Sequence, residues 1–210
     1  ATSLNGLSDV LIENNSIWLG SDPNSTTDTA EGNVAVGYQA LDSITTGDYN
    51  VAVGYQALTA STTGGDNVAI GRDALSANTI GNNNVSLGSS SLGKNTEGYN
   101  NVAFGLGSLY NNTTGNNNIA LGYQAGNTLS TGSYNTIIGY DADTSANNST
   151  NQIVIGKGSL GHGNNIAVIG NSSITAWHPG DDNGVDLGST SYSFKDAHIQ
   201  GTVYTSILNN

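Results

Sequence analysis

The sequence predicts an all-β fold, a parallel β-roll or β-solenoid with 17-residue rungs. Three observations predict it: a glycine recurring at a fixed interval, a short apolar run before each such glycine, and a composition that suits turns and strands. Gly20, Gly37, Gly54, Gly71, Gly88, Gly105, Gly122, Gly139 and Gly156 are separated by eight intervals of 17. A period of this size is the mark of stacked supersecondary units. Charged residues make up 10% of the chain, against about 25% in ordinary soluble domains, and Asn, Ser, Thr and Gly take their place.

Each repeat glycine ends a run such as Asn33–Gly37 (NVAVG), Asn67–Gly71 (NVAIG) or Asn118–Gly122 (NIALG). Three residues before the glycine stand Ile17, Val34, Val51, Val68, Val85, Val102, Ile119 and Ile153, interrupted by Thr136. One residue before it stand Leu19, Val36, Val53, Ile70, Leu87, Phe104, Leu121, Ile138 and Ile155. Two large apolar positions around a small one is the period of a β-strand. Leu41, Leu58, Leu75, Leu92, Leu109 and Leu160, four residues after the glycine, supply a second apolar contact. Gly47, Gly64, Gly81, Gly98, Gly115 and Gly132 lie ten residues after it, in contexts that favour tight turns with positive φ. One rung therefore reads as two short strands and two turns. Helix is a poor competitor at this density of Gly and Asn.

Repeats of this kind bury their apolar face by stacking. A 17-residue rung has room inside for about three large side chains, while each ordered residue costs about 1–2 kcal/mol of backbone entropy. A lone roll of that bore is marginal, so association is expected. The small positions Ala35, Ala52, Ala69, Ser86, Ala103 and Ala120 look suited to close approach of a neighbour. Asn33, Asn50, Asn67, Asn84, Asn101, Asn118 and Asn135 form an unbroken column, read as a structural ladder of stacked amides rather than a binding stripe. Domain organisation follows from the register: a lead-in over 1–16, solenoid repeats over 17–160, and an irregular β segment over 161–210. Trp18 occupies a slot that holds Ala or Ser in most later rungs, which suits a cap on the open end of the roll.

Composition excludes several partners. The formal charge is −12 with only Arg72, Lys94, Lys157 and Lys195 as cations, too few for the basic stripe that nucleic acid requires. No apolar run reaches the roughly 20 residues of a membrane span, so no membrane insertion is expected. There is no Cys and no Met. No catalytic residue and no metal ligand set is identified. The histidines His162, His178 and His198 have no ligand spacing, no nucleophile elbow occurs, and the pairs Asp141/Asp143 and Asp181/Asp182 read as turn residues. No cofactor is expected. Thr45, Thr62, Thr79, Thr96 and Thr113 form a column, but the residues beside them do not complete a flat ice-binding array. Candidates for receptor binding are Tyr38, Tyr55, Tyr123 and Tyr140, which each follow a repeat glycine and would stack, and the pair Trp177 and His178. Exposed Tyr beside Asn and Asp suits a glycan, because sugar C–H faces stack on rings and the polar groups take hydroxyls.

The N-V-A-V/I-G units resemble the head repeats of trimeric autotransporter adhesins, although that family's repeat is usually shorter than 17 residues. The resemblance implies left-handed parallel rolls, three side by side, and hence a homotrimer. The tail DLGSTSYSFKDAHIQGTVYTSILNN is similar to the segment that precedes a self-cleaving intramolecular chaperone in viral tail fibres and spikes, and the opening SLNGLSDVLIENN resembles their lead-in stretches. Asn210 falls about where such a cut would lie. Together these resemblances imply a structural and adhesive fibre domain on a virion surface, extracellular, attaching to a host-surface glycan or receptor. The alternatives are a bacterial surface adhesin or spacer, and a polysaccharide depolymerase with a site between subunits.

Overall fold

The computed structural model describes residues 10–13, 15–20 and 29–174, together with Ser191, Asp196, His198 and Gln200. The chain divides into a unit over 1–173 and a second over 174–210, and the first is a β-solenoid. Its strands are β1 (Val10–Glu13), β2 (Ser16–Gly20), β3 (Val34–Gly37), β4 (Val51–Val53), β5 (Val68–Ile70), β6 (Val85–Leu87), β7 (Val102–Phe104), β8 (Ile119–Leu121), β9 (Thr136–Ile138), β10 (Ile153–Ile155) and β11 (Ala167–Ile169). They form one sheet in sequence order. β1 folds back antiparallel on β2, and every later pair is parallel. From β2 to β10 each residue pairs with the one 17 further on, as Val51 does with Val68 and Val85 with Val102. The last turn is shorter: Ile153 pairs with Ala167.

Only one side of each rung is a strand. The expected second strand is a run of turns with left-handed backbone at two positions per rung. In the second rung these are Gln39 and Leu41, at φ 55° and 54°, and in the third Gln56 and Leu58, at 54° and 52°. A branched side chain in the left-handed region is uncommon and strained. Leu41, Leu58, Leu75, Leu92 and Leu109 hold it while fully buried, so burial of the isobutyl group offsets the backbone cost. Backbone hydrogen bonds continue from rung to rung on this side too, as from Leu58 N to Ala74 O (3.0 Å) and Gln56 N to Tyr38 O (2.9 Å).

The second glycine column does different work from that expected. Gly47, Gly64 and their equivalents are not left-handed; that conformation falls two residues later, at Tyr49, Asp66, Asn83, Asn100, Asn117 and Tyr134. A Cβ at Gly64 would instead lie 2.5 Å from the carbonyl oxygen of Gly81 in the next rung. Close stacking of backbone on backbone is what this column requires.

The core is thinner than the expected three large side chains. Across the middle rungs it holds one leucine, two Ala or Ser, and two amides. Ala52, Ala69, Ala103 and Ala120 are 0% exposed within the single chain, so the small positions point into the roll rather than toward a neighbour. The aliphatic residues on either side of them face outward. Volume is conserved where the pattern breaks. Gly126 stands where earlier rungs have leucine, and Ile137 and Leu129 fill the space, the Ile137 Cδ1 lying 2.9 Å from where a Cβ of Gly126 would be. Where both alanines of a rung become serine, Ser86 and Ser91 hydrogen-bond to each other inside the core. At the N-terminal end Trp18 aligns with Ala35 and is buried, so it fills the end of the core and is no surface contact.

Candidate interaction surface

The strand residues alternate strictly. In the third rung Asn50 and Ala52 point inward, whereas Tyr49, Val51, Val53 and Tyr55 point outward. Stacked over the rungs, this gives a face four columns wide. The two central columns are aliphatic apart from Phe104 and Thr136, and the two borders are mostly polar or aromatic. Ile70, Phe104 and Leu121 are 41%, 49% and 47% exposed, and Ile17, Ile119, Ile153 and Ile169 are similarly open. Single exposed aliphatics are ordinary on a soluble surface, but a continuous apolar stripe along a whole sheet is not. No charged residue enters the two central columns between Ile17 and Ile155.

The seven asparagines lie behind this face, fully buried. From Asn50 to Asn118 each side-chain nitrogen donates to the oxygen of the asparagine one rung earlier and to a glycine carbonyl, as Asn84 does to Asn67 Oδ1 (3.2 Å) and Gly98 O (2.8 Å). Asn135 donates to Asn118 Oδ1 and to Ser149 O instead. Each Oδ1 up to Asn118 accepts from the backbone and side-chain nitrogens of the next asparagine, and Asn135 Oδ1 accepts from Gln152 N. Ser16 begins the ladder by accepting from Asn33 N, and Gln152 ends it by turning its amide to Ser145. Asn33, Asn50, Asn67, Asn84, Asn101, Asn118 and Asn135 thus spend their hydrogen bonds inside the roll. A second ladder, unforeseen from sequence, runs through Asn78, Asn95 and Asn112. Its signal was present seven residues after the glycine, where Ser61 precedes these amides and Leu129 follows them. The column ends abruptly, leaving Ser61 Oγ and Asn112 Oδ1 without partners.

Tyr38 and Tyr55 stack with centroids 5.5 Å apart, and Tyr123 and Tyr140 at 5.0 Å. All four are exposed and lie in one border column, as the sequence pattern requires. Arg72, Ser89 and Leu106 separate the two pairs. Stacking occupies the inner ring faces, so each pair offers only its outer faces, its edges and its hydroxyls. Tyr49, on the opposite border, lies against Gly32, and Lys94 sits 4.8 Å over the ring of Tyr110. Trp177 and His178 lie outside the described residues, as do Asp181 and Asp182. The threonine column is tied down: Thr45 Oγ1 donates to Thr62 O (2.9 Å) and Thr62 Oγ1 to Thr79 O (3.1 Å).

Among the described residues, Asp143 has a carboxyl whose pKa is displaced upward. Burial pushes its carboxyl above the ordinary 3.8, partly opposed by hydrogen bonds from Thr128 and Thr144, with Asp141 adding repulsion. Its oxygens accept from Thr128 N and Thr144 N, which makes it a turn brace. A carboxyl with a raised folded pKa lends its full stability below pH 3.8 and loses it as pH rises through the raised value. Thermal melts across pH should therefore show wild type losing ground to Asp143→Asn as pH rises from 3.8 through the raised value, with the gap constant beyond. A gap independent of pH would remove the titration from Asp143.

Among the described residues no three His, Asp or Glu side chains gather as a metal site, and no helix is long and apolar enough to cross a membrane. No protein-family model, curated protein or solved structure matches the chain.

Proposed function

We propose that the chain is a structural and adhesive fibre element that works as a homotrimer, attaching to a host-surface glycan. The observation that supports association is the aliphatic face. It is uncharged and apolar apart from Thr136, and it sits on a roll whose middle rungs each bury one leucine. Copies of the same chain fit it best, because each brings an identical stripe of the same length. The number three, the virion surface and the adhesive role rest on the resemblance of the repeats and tail to trimeric fibres and autotransporter heads.

Light scattering on a sizing column tests the assembly. The expected mass is three times the 21.4 kDa of the chain. Ile70→Glu with Leu87→Glu, both on the outward face, should leave the strand signal in circular dichroism intact and reduce the mass to that of one chain. A wild-type monomer at micromolar concentration would overturn the proposal. Adhesion is tested by a glycan array with the wild-type protein and with Tyr123→Ala/Tyr140→Ala. Loss of a positive signal in the variant places the contact on the tyrosine column; an unchanged signal removes it from there, and an array without signals counts against a glycan receptor.

A further inference from the structure

We infer that the two borders of the aliphatic face form a matched seam that locks neighbouring copies parallel and in axial register, with Arg72 of one copy against Asp66 of the next. The inference rests on the self-association proposed above. The central columns cannot set a register. Val, Ile and Leu recur every rung, so a neighbour shifted by one rung, about 4.8 Å, meets nearly the same surface. In cross-β stacking, weakly patterned faces of this kind slip.

The borders are not uniform, and they match level by level. Within one rung, Asp66 precedes the strand Val68–Ile70 and Arg72 follows it, so the two residues sit on opposite borders at the same height. Both are exposed. Arg72 is the only arginine in the chain. Its contact inside the chain is Nε to the neighbouring Asp73 at 3.5 Å, with its side chain 68% exposed, which leaves the rest of the guanidinium open. When copies are related by rotation about the rod axis, the leading border of one meets the trailing border of the next. In register, this brings Arg72 to Asp66. The same arrangement brings Tyr55 to Tyr49 and Tyr140 to Tyr134, all exposed. A slip of one rung loses the ion pair, whereas in one direction it re-forms the aromatic pairs as Tyr38 to Tyr49 and Tyr123 to Tyr134, so the ion pair is what sets the register. An antiparallel pair lays each border on itself, and Arg72 then never meets Asp66. The surface therefore selects against both errors as well as favouring the match.

The chain contains no cysteine, so engineered thiols report the seam directly. Ser89 and Asn83 stand at matching heights on the two borders of the β6 rung. S89C/N83C should oxidise to a covalent product with the full mass of the assembly on a denaturing gel, while S89C alone should not crosslink. S89C/N100C, which a register slipped by one rung would favour, should stay uncrosslinked. R72D or D66R alone should weaken association about tenfold, and R72D/D66R should restore it. A wild-type monomer in light scattering would defeat the self-association itself. An oligomer in which S89C/N83C fails to link, S89C alone or S89C/N100C links, or the double charge swap fails to rescue would defeat the seam alone.

Discussion

Gly71→Ala should abolish or severely weaken folding of the central rungs, with a loss of at least about 3 kcal/mol. Two costs combine. Gly71 has φ +138°, a backbone region that is essentially reserved for glycine and costs a side-chain residue about 1–3 kcal/mol. A Cβ there would also sit 2.6 Å from both the carbonyl carbon and the oxygen of Gly88 in the next rung. That neighbour is backbone held by its own ladder, through Gly88 N to Ile70 O at 2.8 Å, so it cannot swing aside as a side chain would. Relief requires two rungs to separate, which breaks hydrogen bonds on both. Gly158→Ala is the control. Its φ is +59°, and nothing lies within 4 Å of a Cβ placed there, so the cost is confined to left-handed backbone strain, about 1 kcal/mol. At roughly 2–4 °C per kcal/mol for a chain of this size, Gly71→Ala should lower the melting midpoint by about 6 °C or more and Gly158→Ala by a few degrees. Equal shifts for the two variants would mean that rung-on-rung contact at the repeat glycine is not what the column protects.

The coil was legible because its causes are periodic. Strand position, parallel pairing and 17-residue register follow from one glycine and three residues before it. The direction each side chain takes was harder. The sequence reading buried the asparagine column and the aliphatics together, yet Asn50 and Val51 are adjacent in a strand and must face opposite sides. Burying Asn50 buries Ala52 and turns Val51 and Val53 outward. Hydrophobicity argues the other way, and it lost because the amides have partners inside that only stacking supplies. The second strand failed for a related reason. Leucine every 17 residues says that a side chain is buried and leaves the backbone open; Leu58 is buried from a left-handed position that its residue type disfavours. For the candidate surface, the tyrosine column was visible as a pattern, whereas its border position beside an aliphatic face required knowing which side of the strand is outside.

Asn84→Ala should cost about 3–6 kcal/mol, an effect comparable to that of Gly71→Ala and reached through polar groups alone. Asn84 sits mid-ladder and is fully buried. Removing its amide takes the acceptor from Asn101 N (3.0 Å) and Asn101 Nδ2 (3.1 Å) and the donor from Gly98 O (2.8 Å). Asn67 Oδ1 keeps one bond, from the backbone N of residue 84. Asn101 N is then orphaned away from water, at about 1–3 kcal/mol, while Asn101 Nδ2 keeps Gly115 O and Gly98 O keeps Asn95 Nδ2, so each of these loses one bond of two, at about 0.5–1.5 kcal/mol. In a stack where each rung touches only its neighbours, the damage stays local in space but divides the rod. Hydrogen exchange should therefore show protection lost first around rungs β5 to β7, with the outer rungs keeping theirs. Asn84→Asp sharpens the test. It keeps the acceptor toward Asn101 and sets a carboxylate oxygen against Asn67 Oδ1 and Gly98 O. Burial should raise its pKa, so the variant should be more stable than Asn84→Ala in acid, where the protonated acid can donate, and should lose that advantage as pH rises through the raised value. Gln152→Ala, at the ladder's end, should cost less than Asn84→Ala, because its backbone N still bonds Asn135 Oδ1 and its side chain braces only Ser145, with no further ladder residue resting on it. Equal losses at positions 84 and 152 would mean that the column is a row of independent residues rather than a ladder whose interior members each support the next.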